Sequence, residues 1–321
     1  MNKIVKSEKQ IRPLDHNPAA MYLVGLSETG RYTMRQALNT IAQLMTGGAS
    51  SVESFAWCDL RFQHVTAIKS KLESAGYKPA TINKFLAAIR GTLRAAWLDN
   101  QTSAEDYHRA AAVKLVKNHT LPAGRELQSG ELSALIEACE DDKSNAGIRD
   151  AAILSVMYSC GLRRDEVIKI NLTDYETDTG KLIVKGKGSK ERASWITGGA
   201  AHALADWLLI RGDNPGALFI PINKSGKITS YARMTSKPIY NMLQKRAHEA
   251  GVNHFSPHDL RRTFVSDLLD AGADIVTVSH MAGHANVSTT ARYDRRPEEA
   301  KRKAAGLLHV PYRGRGLLQT G

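Results

Sequence analysis

The string SPHDLRRTF, beginning at Ser256, carries a nearly complete set of helix-start signals. Ser256 suits the N-cap, Pro257 the first helical position, and Asp259 follows the cap by three residues. His258 and Arg261 are three apart and share one face of the first two turns. A helix N-terminus attracts anions through its free N–H groups and its dipole, so imidazole and guanidinium there make a docking point for a phosphodiester. The next segments repeat the logic. ADIVTVSHMAG reads as a short helix stopped by Gly283 in a left-handed cap, with His284 in the turn beyond. Asn286 then caps NVSTTARYDRR, whose face carries Tyr293. A tyrosine beside two histidines and several arginines is an oxygen nucleophile for phosphorus, provided cations stabilise its developing phenolate.

Two further pieces lie upstream. YSCGLRRDEVIKI places Arg163 just after Gly161, at a break between two apolar segments, with Glu166 three residues on to orient it. KLIVKGKGSKERASWIT reads as a β-hairpin whose turn is Gly186-Lys187-Gly188-Ser189. Lys187 at that tip is a candidate proton donor to a leaving oxygen.

Bulk properties narrow the classes. The chain has 321 residues, room for two domains, and 42% hydrophobic with 24% charged residues is an ordinary globular composition. Its apolar runs, such as AAILSVMY, are too short to span a bilayer, and the start has no signal-peptide pattern. Cys58, Cys139 and Cys160 are scattered without metal-ligand spacing, which argues against a disulfide framework or a zinc site and for a reducing cytosol. Net charge is +12. Residues 1–126 carry 17 basic and 10 acidic side chains, and the remainder is basic too, so both parts suit a polyanion. Together with a phosphodiester site, that polyanion is nucleic acid. A metal nuclease would need clustered carboxylates, and the Asp141-Asp142 pair reads as a solvated loop.

Organisation follows from periodicity. Residues 1–15 read as a flexible lead-in, and helices start from about Thr29. RYTMRQALNTIAQLM puts Met34, Leu38, Ile41 and Met45 on one stripe with Arg31 and Arg35 elsewhere. A second helix covers Leu60–Ser74. A third begins at Pro79 and buries Ile82, Phe85, Ile89 and Leu93, leaving Lys84, Arg90 and Arg94 off the stripe. A fourth runs through Ala104–Val116. This four-helix bundle, residues 16–117, is expected to lie across a duplex through Arg31, Arg35, Lys84, Arg90 and Arg94, with Arg262 as a further backbone contact. Residues 118–126 read as a linker and 127–303 as a second domain. That domain has helices near Ser129–Glu140, Ala200–Arg211 and Thr235–Ala250. A tail, 304–321, carries Leu307, Leu308 and Val310. The fold class is mostly α with a small β-hairpin or sheet in the second domain (α+β), arranged as a two-domain clamp.

Arg163, Lys187, His258-x-x-Arg261, His284 and Tyr293, in the strings CGLRRDE, GKGSKER, PHDLRRTF and MAGHANVSTTARY, resemble the active-site set of the tyrosine recombinases, the phage-integrase family. The clear resemblance covers roughly Leu127–Lys303. It departs at Asp294, where histidine is frequent in the family, and in the tail from Pro311. What the resemblance implies is a catalytic domain behind a helical core-binding domain, and site-specific DNA recombination without metal, cofactor or ATP. Tyr293 would form a 3′-phosphotyrosyl bond, Arg163 and Arg261 would clamp the phosphate, and His258 and His284 would add donors or assist proton movement at Tyr293. Lys187 would protonate the departing 5′-oxygen. The implied partners are double-stranded DNA sites, further copies of the chain in a tetramer on two sites with the tail docking in trans, and an accessory protein. The setting is the cytoplasm, at the nucleoid. A topoisomerase of the same chemistry and a catalytically silent DNA-binding relative are the alternatives, the latter requiring a damaged catalytic position that the sequence does not show.

Overall fold

Asn17 starts the first helix. Its side-chain oxygen accepts from the amides of Ala19 and Ala20, and Pro18 takes the first position of α1 (Pro18–Val24). The computed structural model describes residues 16–117, 124–186, 191–223, 225–284, 286–291, 293, 302, 305–307 and 311. The chain divides into two units, Met1–Leu121 and Pro122–Gly321, each with its own apolar core.

The first unit continues with α2 (Glu28–Thr46), α3 (Phe62–Ser74), α4 (Pro79–Leu98) and α5 (Ala104–Ala111). Helix α2 buries Leu38, Ile41 and Met45 on the expected stripe and stops at Gly47, whose left-handed φ of 66° costs glycine nothing. Helix α4 buries Ile82, Phe85, Ile89 and Leu93 against α1 and α2. Two elements differ from expectation. Helix α1 precedes Thr29 and is too short to show a periodic stripe. Helix α5 ends at Ala111 instead of continuing to Val116, because side chains of α4 bind the following backbone. The Asn83 side chain exchanges two hydrogen bonds with Val116, at 2.9 and 2.8 Å, and Arg90 donates to the Val113 carbonyl at 2.5 Å.

The second unit begins its helices with α6 (Glu131–Asp141), α7 (Asn145–Ser159) and the single turn α8 (Arg164–Val167). Strands β1 (Tyr175–Glu176), β2 (Lys181–Lys185) and β3 (Glu191–Trp195) form an antiparallel sheet in sequence order, with Lys185 opposite Glu191 and Ile183 opposite Ala193. The hairpin thus exists, while its turn, residues 187–190 with Lys187, lies outside the described residues. Then come α9 (Gly198–Arg211), α10 (Ser236–Glu249), α11 (Pro257–Asp270), α12 (Ile275–Ala282) and α13 (Val287–Ala291).

Helix α7 is the spine of this unit. Ala152, Ile153, Leu154, Val156 and Met157 are all buried, so the helix is apolar around most of its circumference. Against it pack α9, with Leu204 and Trp207, and α11, with Leu260, while Leu243 of α10 joins the same core. A fully buried arginine ties the elements together. Arg246 donates to Asp150 at 2.8 Å and to Asp142 at 2.7 Å. Asp142 is therefore ion-paired, where the sequence suggested a solvated group; burial would raise its carboxyl, and hydrogen bonds from Ser144 and Arg246 outweigh that and pull it below the usual range. No helix among the described residues is long and apolar enough to cross a membrane.

Candidate active site

Gly161 positions the first arginine. It adopts φ 56°, and a Cβ there would overlap the Phe264 ring of α11, so only glycine lets the chain leave α7 so close to that helix. The chain then enters α8 with Arg163 as its N-cap. Glu166 closes the cap, accepting from the Arg163 backbone N–H at 3.0 Å and from its guanidinium at 2.7 Å. The other guanidinium arm reaches the Gly283 carbonyl at 3.1 Å.

Glu166 has a second partner that the sequence did not single out. Arg192 of β3 donates to both of its carboxylate oxygens, at 2.8 and 3.1 Å, and through Nε to the Met281 carbonyl at 3.0 Å. Burial alone would raise the Glu166 carboxyl. The hydrogen bonds from Arg192 and Arg163 outweigh it and hold the group at about 2. Arg163 and Arg192 thus share one buried carboxylate and grip the Gly283 and Met281 carbonyls, two residues apart, at the C-terminal end of α12. The available sequence signal was slight: Arg192 closes the GKGSKER string, three residues past Ser189 of the turn.

On α11, Ser256 caps as read. Its hydroxyl and the Asp259 carboxylate satisfy each other's backbone ends. Arg261, only 2% exposed, donates from Nη1 to the Gly161 carbonyl at 2.6 Å. Its Nη2 is buried without a hydrogen-bond partner among the described residues. Burial and the nearby Arg163 charge lower this guanidinium to about 9, which leaves it charged at neutral pH. One turn back, His258 is an exposed residue, yet partial burial of its ring and then the charges of Arg261 and Arg262 push its imidazolium down.

Gly283 ends α12 in the left-handed region, φ 63°, and His284 follows. The His284 Nδ1 sits 2.8 Å from the Thr290 hydroxyl of α13. Burial first, then Arg261 and Arg163, drop this imidazole to about 4, so it is neutral at physiological pH. Tyr293 lies just past α13, its ring centroid 6.5 Å from that of His284. Asn286, the expected cap, accepts from the Ser288 amide at 2.9 Å. Arg163, His258, Arg261, His284 and Tyr293, spread over 130 residues of sequence, therefore sit in one electrostatic neighbourhood with Glu166 as its carboxylate. Two other tyrosines of this unit have their hydroxyls occupied: Tyr158 donates to Asp267 at 2.6 Å, and the Tyr240 hydroxyl lies 3.0 Å from His254 Nε2.

Arg262 departs from expectation. It is 6% exposed, donates to the Gly124 carbonyl at 2.7 Å and lies 5.4 Å from the Tyr293 ring centroid, instead of facing outward as a backbone contact. In the first unit, Arg31 and Arg35 are exposed, the former bonded to the carbonyls of Leu23, Val24 and Leu26, the latter paired with Glu53. Lys84 lies over the Phe85 ring and Arg90 is held by Val113. Arg94 is exposed. No group of three or more His, Cys, Asp or Glu side chains among the described residues is placed to hold a metal ion.

A sequence profile described as the phage integrase family matches residues 125–299. The tyrosine recombinase XerC of Vibrio cholerae is 30% identical over 273 residues, covering 84% of this chain and 83% of the relative. That of Proteus mirabilis is 32% identical over 268 residues, 81% and 80% of the two chains. Among solved structures, the Tn1549 transposon integrase in complex with transposon right end DNA superposes with a TM-score of 0.68 at 15% identity, covering 92% of this chain and all of the other. The XerH site-specific recombinase bound to palindromic difH substrate gives 0.64 at 18% identity, over 94% and 98%. The chain belongs to the phage integrase family, the tyrosine recombinases. Members of that family are DNA breaking-and-rejoining enzymes.

Proposed function

We propose that this protein is a site-specific DNA recombinase working through a 3′-phosphotyrosyl intermediate. The observation that carries the reading is the gathering of Arg163, His258, Arg261, His284 and Tyr293 in one electrostatic neighbourhood, with the Arg261 Nη2 buried and without a hydrogen-bond partner among the described residues. Arg163 and Arg261 contact the non-bridging oxygens of the scissile phosphate, stabilising the charge that builds up as the nucleophile approaches. The Tyr293 oxygen bonds to phosphorus, the bond from phosphorus to the 5′-oxygen breaks, and the tyrosine proton passes to the His258 imidazole, whose lowered pKa leaves it free to accept. Lys187 gives the 5′-oxygen its proton. His284, neutral near pH 7, takes part as a hydrogen-bonding group and not as a cation. Because the covalent link preserves the phosphodiester's energy, a 5′-hydroxyl restores the backbone by the reverse attack, without ATP. Attack by another strand's hydroxyl exchanges partners.

Duplex DNA is the partner, in keeping with the net charge of +12 and the DNA complexes of the Tn1549 integrase and XerH. Arg31, Arg35, Lys84, Arg90 and Arg94 are the proposed backbone contacts of the helical unit. A tetramer on two sites, tail docking in trans, an accessory protein and a cytoplasmic, nucleoid setting complete the proposal. The test is covalent trapping on nicked duplexes tiled across the DNA flanking the gene, with EDTA present. A denaturing gel should show a protein–DNA adduct that vanishes in Tyr293→Phe while binding persists. An adduct from Tyr293→Phe would overturn the nucleophile, and loss of all DNA binding would overturn the recombinase reading.

A further inference from the structure

We infer that Arg262 is a positioning residue for Tyr293, braced by the segment through which the chain enters the catalytic unit. The inference rests on Tyr293 being the nucleophile. Its own support is a set of contacts that no catalytic role for Arg262 explains. Arg262 is buried, yet its guanidinium lies 5.4 Å from the Tyr293 ring centroid, within cation–π range. One arm, Nη1, donates to the Gly124 carbonyl at 2.7 Å. The carbonyl fixes the guanidinium and the guanidinium carries the ring.

The entering segment is itself fixed to α11. The Arg125 amide donates to Asp259 at 3.0 Å, and the Leu127 amide to the Thr263 hydroxyl at 2.9 Å. The Arg125 side chain spans the carbonyls of Asn253 and His254, at 2.6 and 3.2 Å, and the Glu131 carboxylate at 2.5 Å. Gly124 has φ 112°, and a Cβ there would overlap the Asp259 carboxylate. The chain can therefore present this carbonyl to Arg262 only with glycine at the position.

Among the described residues, Arg261 on α11 and His284 after α12 also lie beside Tyr293. Tyr158 of α7 packs in the same apolar cluster, which includes Phe264, Val265 and Val278, with its hydroxyl on Asp267. Tyr293 has apolar contacts to seat its base and one guanidinium face to set its angle. A ring free to swing loses the in-line approach, and small misplacements of a reacting atom are costly.

The experiment measures two quantities on full-length protein with a nicked duplex: the DNA dissociation constant and the single-turnover rate of adduct formation. Arg262→Met removes the charge at similar length. It should slow adduct formation about ten-fold or more while DNA affinity stays within about two-fold. Arg262→Lys should recover part of the rate. Gly124→Ala should also slow the reaction, and the double variant Gly124→Ala/Arg262→Met should be no slower than Arg262→Met alone, because both act through one contact. Adduct formation by Arg262→Met within about two-fold of the parent would overturn the proposal. So would parallel losses of rate and affinity, which would return Arg262 to the DNA surface. Additive losses in the double variant would sever the Gly124 brace. Tyr293→Phe runs alongside, and an adduct from it would remove the nucleophile assignment itself, a failure separate from any Arg262 result.

Discussion

Replacing Glu166 by glutamine keeps its shape and removes the charge shared by Arg163 and Arg192. The size of the effect follows from the carboxyl itself. Held at about 2 where an ordinary glutamate has 4.5, it contributes about 3 kcal/mol to the folded state at neutral pH. That contribution is complete above about pH 4.5, because the unfolded carboxyl is then ionised as well. It fades as the pH falls from there toward 2, where the folded group takes up its proton. Glutamine also offers one amine where an acceptor stood, facing two guanidiniums. Equilibrium urea unfolding at pH 7 should therefore show the variant less stable by about 3 kcal/mol, with the gap narrowing below pH 4.5. The same variant should cleave more slowly, since Arg163 loses its orienting anion and the α12 end loses a clamp. A gap below about 1 kcal/mol at pH 7 would show that Glu166 is not held as the geometry requires. A gap that does not change with acid would refute the linkage.

Other expectations are shorter to state. Arg261→Ala should lower adduct formation by about two orders of magnitude or more while leaving DNA affinity close to the parent's, since its donor acts on transition-state charge. Lys187→Ala should slow cleavage of ordinary DNA but cleave a bridging 5′-phosphorothiolate at nearly the parental rate; equal impairment on both substrates would remove Lys187 as the acid. Gly283→Ala should destabilise the unit and slow cleavage, because its φ is 63° and a Cβ would come within 2.9 Å of Arg192 Nη1. Parental melting and cleavage would show that this turn is not under that constraint. Stability should also fall as pH drops from 6.5 toward 4, where His284 takes up a proton that the folded state resists. His284→Asn should flatten that part of the curve, and an unchanged curve would count against the burial of the imidazole.

Helices with one wet face and capped ends were legible in the sequence, as α2, α4 and α11 show, because their apolar stripe and cap residues are local properties. Helix α7 gave only an apolar segment: buried nearly all round, it has no polar face to mark a period. The end of α5 was misplaced because Asn83 and Arg90 bind the backbone beyond it from another helix. The candidate site divides the same way. His258 and Arg261 share a face by spacing alone, and Gly283 with Asn286 framed the turn holding His284. Arg192 escaped notice because its partners are 26 and 89 residues away, and no spacing rule reaches that far. The burial of Arg262 was hidden for a related reason: its neighbour in sequence does not tell which side of α11 is covered.

Arg261 leaves one last consequence. Among the described residues its Nη2 is buried without an acceptor, and an unmatched charged donor costs the folded chain some stability. An oxyanion there would remove that cost, so occupancy of the site and resistance to unfolding rise together. Sulfate or phosphate in a buffer would then raise the melting temperature of the parent protein more than that of an Arg261→Ala variant. Stability comparisons made in phosphate would understate how much the free enzyme gives up to keep that arginine ready.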